Sequence, residues 1–140
     1  MFRPVMSVVA FAAISVIAIS ANAEKKENEL EKLHGTWIVV EAEFDGSHEK
    51  CELKKGDKLL FDGKKYKFEA KHFPEEGTFA VDGSKKVKEI NLLDTKDKKS
   101  LGIYEVNNEE LKICFRVGER PGEFKSGKKA LLVNLKRQKK

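Results

Sequence analysis

Cys51, Cys114, His34, His48 and His72 are the residues best suited to nucleophilic or metal chemistry in this chain. His48-Glu49-Lys50-Cys51 offers two metal ligands, but no second pair follows at the spacing of a four-ligand zinc site. Asp94 and Asp97 lack the further oxygen ligands of a calcium loop. The G-x-S-x-G elbow, the phosphate-binding P-loop and H-E-x-x-H do not occur in the sequence. A nucleophilic Cys114 would need an exposed, activated thiol, whereas it sits in a strand pattern where thiols are packed or bonded. These residue types and spacings argue against an enzyme, and no metal or cofactor is expected.

The charge balance raises a different chemistry. There are 28 Lys and Arg against 23 Asp and Glu, a net charge of +5. Lysine pairs such as Lys54-Lys55, Lys64-Lys65 and Lys85-Lys86 fall at turn-like positions with acidic neighbours. Single-strand binding requires aromatics interleaved with such charge on an open strand face. Specific nucleic-acid binding is therefore not expected. The lysines read as a solubilising surface that protects strand edges. Weak attraction to anionic polymers or an outer-membrane surface is compatible with them.

The first segment sets the compartment. Residues Met1 to Ala23 contain no Asp, Glu or Lys, and Arg3 is their one charge. An apolar run from Val5 to Ile19 is interrupted only by Ser7 and Ser15, and Ala21-Asn22-Ala23 follows it. A positive start, a short apolar middle and small residues at −3 and −1 make a secretory signal peptide cleaved after Ala23. The run is shorter than the ~20 residues that span a bilayer comfortably, so an uncleaved anchor is the weaker alternative. The expected product is a periplasmic or extracellular domain, residues 24–140, without a membrane span. In an oxidising compartment Cys51 and Cys114 could form one disulfide, closing a loop of about 60 residues and adding roughly 3–4 kcal/mol. Two unpaired thiols are the alternative.

The elements that must position these groups are mainly strands. Glu27 to Leu33 suits one or two helical turns, stopped by Gly35. Beyond it, eight β-branched or aromatic runs recur: Thr36–Phe44, Lys58–Phe61, Lys65–Ala70, Thr78–Val81, Val87–Leu93, Ser100–Val106, Glu110–Val117 and Lys129–Arg137. Asp45-Gly46, Asp62-Gly63 and Asp82-Gly83 are tight-turn dipeptides, and Asn107-Asn108 is expected to turn because Asn tolerates positive φ. Eight short strands with tight turns imply an antiparallel sandwich or an up-and-down barrel. The expected inward set is Trp37, Val39, Phe61, Tyr66, Phe68, Phe79, Ile90, Leu92, Ile103, Phe115, Leu131 and Val133.

Leu33-His34-Gly35-Thr36-Trp37 resembles the G-x-W opening of lipocalin-like barrels, where a short helix precedes the first strand. Leu101-Gly102-Ile103-Tyr104-Glu105, Leu111-Lys112-Ile113-Cys114-Phe115, Glu119-Arg120-Pro121-Gly122-Glu123-Phe124 and Leu131 to Arg137 extend the likeness. Together they resemble a family of small exported, lipocalin-like domains found widely in planctomycetes, with no assigned activity. The charged stretch from Ser47 to Gly56, which holds Cys51, departs from that pattern. The resemblance implies an all-β fold: one eight-stranded antiparallel up-and-down barrel behind a short N-terminal helix. It also implies that Arg137 closes the barrel by packing on Trp37. It carries over no catalytic residue.

Two functional readings follow. In one, the barrel binds a small apolar or amphipathic ligand, lined by Tyr66, Phe68, Phe79 and Tyr104 with Arg116 as a polar anchor. In the other, side chains fill the barrel and a monomer serves as a cell-envelope interaction module, through strand edges or the loops Ser47–Gly56 and Gly118–Lys128. Export from a bacterial host is expected to yield a chain that begins at Glu24, checked by intact mass under denaturing conditions. A chain retaining Met1 to Ala23 would mark an uncleaved anchor.

Overall fold

The computed structural model describes residues 28–139, so the segment expected to be a signal peptide, residues 1–23, lies outside the described residues. A helical segment at 28–33 leads into eight strands: β1 Gly35–Phe44, β2 Lys58–Asp62, β3 Lys65–Glu69, β4 Glu75–Asp82, β5 Lys88–Asp94, β6 Lys99–Val106, β7 Glu110–Val117 and β8 Leu131–Arg137. Each strand pairs antiparallel with the next, and β8 pairs back onto β1, closing an up-and-down barrel. Closure leaves no free sheet edge, the usual site of unwanted pairing. Among the described residues no helix is long and apolar enough to cross a membrane.

Alternation fills the interior. Trp37, Val39, Leu59, Phe61, Tyr66, Phe68, Phe79, Ile90, Leu92, Tyr104, Ile113, Phe115, Leu131 and Val133 are all buried in one cluster. The Phe61 and Phe79 ring centroids are 4.6 Å apart. Phe68 meets Phe73 edge-on at 5.2 Å and lies 6.3 Å from Phe115. An eight-stranded barrel is just wide enough for such filling.

Ile103 departs from the expected inward set. It joins Cys114 and Ala130 in a separate cluster with Phe124 and Leu132. Its neighbours Gly102 and Tyr104 take the inward positions, facing Phe115 and Ile113 across the ladder. Gly102 is required there, because an added Cβ would lie 2.7 Å from Cβ of Phe115. Ile103 is buried on the outer wall by the segment that joins β7 to β8. Arg120, from the R-P-x-E-F stretch, pins that segment to the wall. Its guanidinium donates to the carbonyl of Gly102 at 2.8 Å and to Oδ1 of Asn91 at 2.8 Å.

The turns divide by mechanism. Asp45 and Gly46 both adopt positive φ, as a primed hairpin turn requires. Asn107 and Asn108 do not. Asn107 turns the chain through its side chain instead, Oδ1 accepting from the backbone N–H of Glu109 and Glu110.

One end of the barrel is clasped by Arg137. Its guanidinium lies 4.2 Å from the Trp37 ring centroid. It donates through Nε to the carbonyl of Asn108 at 2.8 Å, through Nη1 to that of His34 at 2.9 Å, and through Nη2 to that of Lys32 at 2.7 Å. Trp37 Nε1 donates to the Leu33 carbonyl at 2.8 Å. Helix, first strand, last strand and the β6–β7 turn thus meet on one planar cation. Gly35 makes room, with φ of 122° and an added Cβ only 3.2 Å from Arg137 Nη1. Arg137→Lys is expected to cost about 1–3 kcal/mol by losing the forked donors. Urea unfolding followed by emission of the single tryptophan, Trp37, measures it.

Candidate functional site

The interior and the two ends of the barrel differ in chemistry. At the end opposite Arg137, a concavity of about 230 Å³ opens to solvent. Phe44, Phe73, Phe115 and Leu131 give it an apolar floor, and Lys50, Lys98, Arg116 and Lys129 supply cations against the single carboxylate of Glu52. Val117, an exposed apolar residue, also borders it. The sheet places these residues. Phe44 and Phe115 flank Leu131 across the β1–β8 and β7–β8 ladders, where inward positions reach the mouth.

Of the five residues expected to line a ligand site, Arg116 alone borders this concavity. Its Nη2 lies 2.9 Å from Glu119 Oε2, and Nη1 donates to the Lys128 carbonyl at 3.3 Å. Its Nε–H is buried without a hydrogen-bond partner. A buried donor left unpaired costs about 1–3 kcal/mol, so the position favours an acceptor. Phe68 borders a neighbouring, more polar depression with Glu75, Glu76 and Asp94. Tyr66 and Phe79 are packed in the core instead.

Both tyrosines donate into carboxylate–lysine clusters whose lysines reach the surface. Tyr66 Oη donates to Glu75 Oε2 at 2.9 Å, and Lys98 Nζ lies 2.6 Å from Oε1 of the same carboxylate. At the clasped end, Tyr104 Oη donates to Glu29 Oε1 at 3.1 Å, with Lys88 Nζ 2.6 Å from that oxygen and Lys32 Nζ 3.5 Å from Oε2. Burial, then the facing carboxylate, raises the pKa of both phenols, Glu75 acting on Tyr66 and Glu29 on Tyr104. They stay protonated donors and are not proton-transfer groups near neutral pH. Burial would raise the Glu29 carboxyl too, but hydrogen bonding and charge from Lys88, with help from Tyr104 and Lys32, hold it below the usual carboxylate range. Tyr104 thus braces the helix against the barrel at the end remote from the mouth.

The thiols do not meet. Cys51 is buried in the main core and Cys114 in the outer-wall cluster, and both are free. They belong to two separate buried clusters. Burial raises the pKa of each, which disfavours the nucleophilic thiolate. Cys114 Sγ donates to the Lys125 carbonyl at 3.3 Å. The charged loop Ser47–Gly56 turns Cys51 and Leu53 inward, where both are buried.

Sequence reasoning missed Phe44, Phe73 and the lysine rim, because residues from loops far apart in the chain converge there. Their available signal was weak: Phe44 continues the β1 pattern to its last residue. Comparison with known proteins finds no matching family model, no similar curated protein and no similar solved structure.

Glu29→Gln is expected to lower stability at pH 7 by about 1–3 kcal/mol, since Lys88 loses its charged partner. The depressed pKa of Glu29 in the fold means that its contribution is present above the ordinary carboxylate value. It is lost as pH falls through the lower folded value. The gap between wild type and E29Q in urea melts is therefore expected to close below about pH 4. Both thiols are expected to react with a disulfide reagent only after denaturation, while the native mass shows no loss of two hydrogens.

Proposed function

We propose that this is an exported lipocalin-like barrel that binds a small amphipathic molecule at its mouth. The observation that carries the reading is the combination of an apolar floor with the unpartnered Nε–H of Arg116 at its rim. An apolar body would displace water from Phe44, Phe115 and Leu131. A polar or anionic end would accept from Arg116 and face Lys50 and Lys129. The site is small: about 230 Å³ falls below the ~300–1,000 Å³ of drug-sized pockets. The occupant is then one ring or a short chain with a polar end. The N-terminal segment supports export, and the G-T-W to Arg137 pattern supports the exported planctomycete-type family.

The packed interior favours a second reading, a filled barrel that acts as an interaction module in the cell envelope. Tyr66, Phe68 and Phe79 occupy the space a deep lipocalin-type ligand would need. Native mass spectrometry of protein exported by a bacterial host and purified without detergent separates the two. The mouth-binding reading expects an added mass that vanishes on denaturation. Arg116→Gln and Val117→Trp are expected to reduce its occupancy about tenfold, while Tyr66→Phe leaves it unchanged. A clean apo mass that stays apo with short-chain amphiphiles added would select the filled module.

A further inference from the structure

We propose that Glu41, Glu43 and His48 form a site for a divalent transition-metal ion, outside the barrel and separate from its mouth. The β-bulge between Val39 and Glu41 creates it. Strict alternation from Trp37 and Val39 would turn Glu41 and Glu43 into the core. The bulge shifts the register, so Ala42 is buried and both glutamates face out, opposite Asn134 and Leu132 of β8. Bulges re-aim side chains in this way beside functional sites. The tight turn at Asp45-Gly46 then brings His48 back over the strand, held by the Phe44–Ser47 bridge.

The geometry fits a metal better than a simple ion pair. His48 Nδ1 is 2.9 Å from the Ala42 carbonyl. With a proton on Nδ1, that bond leaves Nε2 as a lone-pair donor, the usual arrangement behind a ligating histidine. Nε2 is 3.4 Å from Glu41 Oε1 and 3.3 Å from Glu43 Oε1. A charge-assisted hydrogen bond would draw such atoms to about 2.7–2.9 Å. A tetrahedral centre with ligand bonds of about 2.0–2.2 Å has edges of about 3.3–3.6 Å, the range of both Nε2–oxygen distances. The three ligand atoms all lie within 4.8 Å of one another, so two carboxylate charges converge beside the imidazole where they attract a cation. An open groove of about 360 Å³ borders Glu41 and His48 and leaves room for water at the fourth position. Lys54 and Lys55 on that groove weaken the attraction. One imidazole and two carboxylates suit zinc and its neighbours rather than magnesium or calcium, which take oxygen donors.

The test is calorimetric titration of the tag-free mature chain with zinc chloride. One zinc per chain is expected, with affinity reduced about tenfold or more in His48→Ala and in Glu43→Gln. His72→Ala, distant in sequence and outside the cluster, is expected to bind as wild type does. Circular dichroism melts of the apo variants confirm that each is folded. Absence of saturable binding at millimolar zinc would overturn the proposal and leave an ion-paired histidine. Binding that survives His48→Ala undiminished would overturn it equally, placing the metal elsewhere.

Discussion

The pairing of β8 with β1 is the interaction on which everything else rests. Once the sheet closes, the number of strands sets the interior width, and each strand must deliver its inward side chains to a fixed volume. The Phe61–Phe79 and Phe68–Phe115 contacts are consequences of that limit. Arg137 sits where the closing pair ends. It faces Trp37 in the ladder, so its guanidinium reaches the indole, the helix carbonyls and the β6–β7 turn together. A lysine has one compact donor group and would serve one of these partners at a time.

Closure also forces polar groups into places that sequence alternation would reserve for apolar ones. Glu75 lies at an inward position of β4 opposite Phe68, and Glu29 approaches the barrel from the helix. Glu75 is met by Tyr66 and Lys98, and Oε1 of Glu29 by Tyr104 and Lys88, while Oε2 of Glu29 has Lys32 at 3.5 Å and no hydrogen-bond partner. A buried carboxylate without such partners would cost several kcal/mol. The two clusters therefore fix geometry at opposite ends: one holds the helix down, and the other fixes Lys98 beside the mouth. The mouth inherits its character from this arrangement, apolar below and cationic around.

The outer wall is only partly a wet surface. The β7–β8 segment covers Ile103, Cys114 and Leu132, and Arg120 fastens it by hydrogen bonds to two neighbouring strands. The R-P-x-E-F stretch thus has a structural task, fastening its loop to the wall. At β1 the bulge does the converse, turning two glutamates away from the core and toward His48. One extra residue in one strand decides whether those carboxylates are buried liabilities or surface ligands.

Strand number and type were legible in the sequence, while the choice of a closed up-and-down barrel over a sandwich came from resemblance. Alternation in Lys65–Ala70 and Glu110–Val117 is a local property, and turn dipeptides act over two to four residues. The apposition of Trp37 and Arg137 came from resemblance and not from periodicity. Register was less legible. Ile103 reads as apolar and inward, yet Gly102 and Tyr104 hold the inward positions, because a covering segment made the outer face apolar too. Tyr66, Phe68, Phe79 and Tyr104 were legible as interior residues but not as filled space, since a list of inward side chains does not state how their volumes sum. The same holds for the separation of Cys51 from Cys114, the convergence of Phe44, Phe73 and Arg116 at the mouth, and the approach of His48 to Glu41 and Glu43. Each joins positions that no local pattern relates. The sequence determined which residues alternate and where the chain turns. Closure, one bulge and one covering loop decided which of those residues meet.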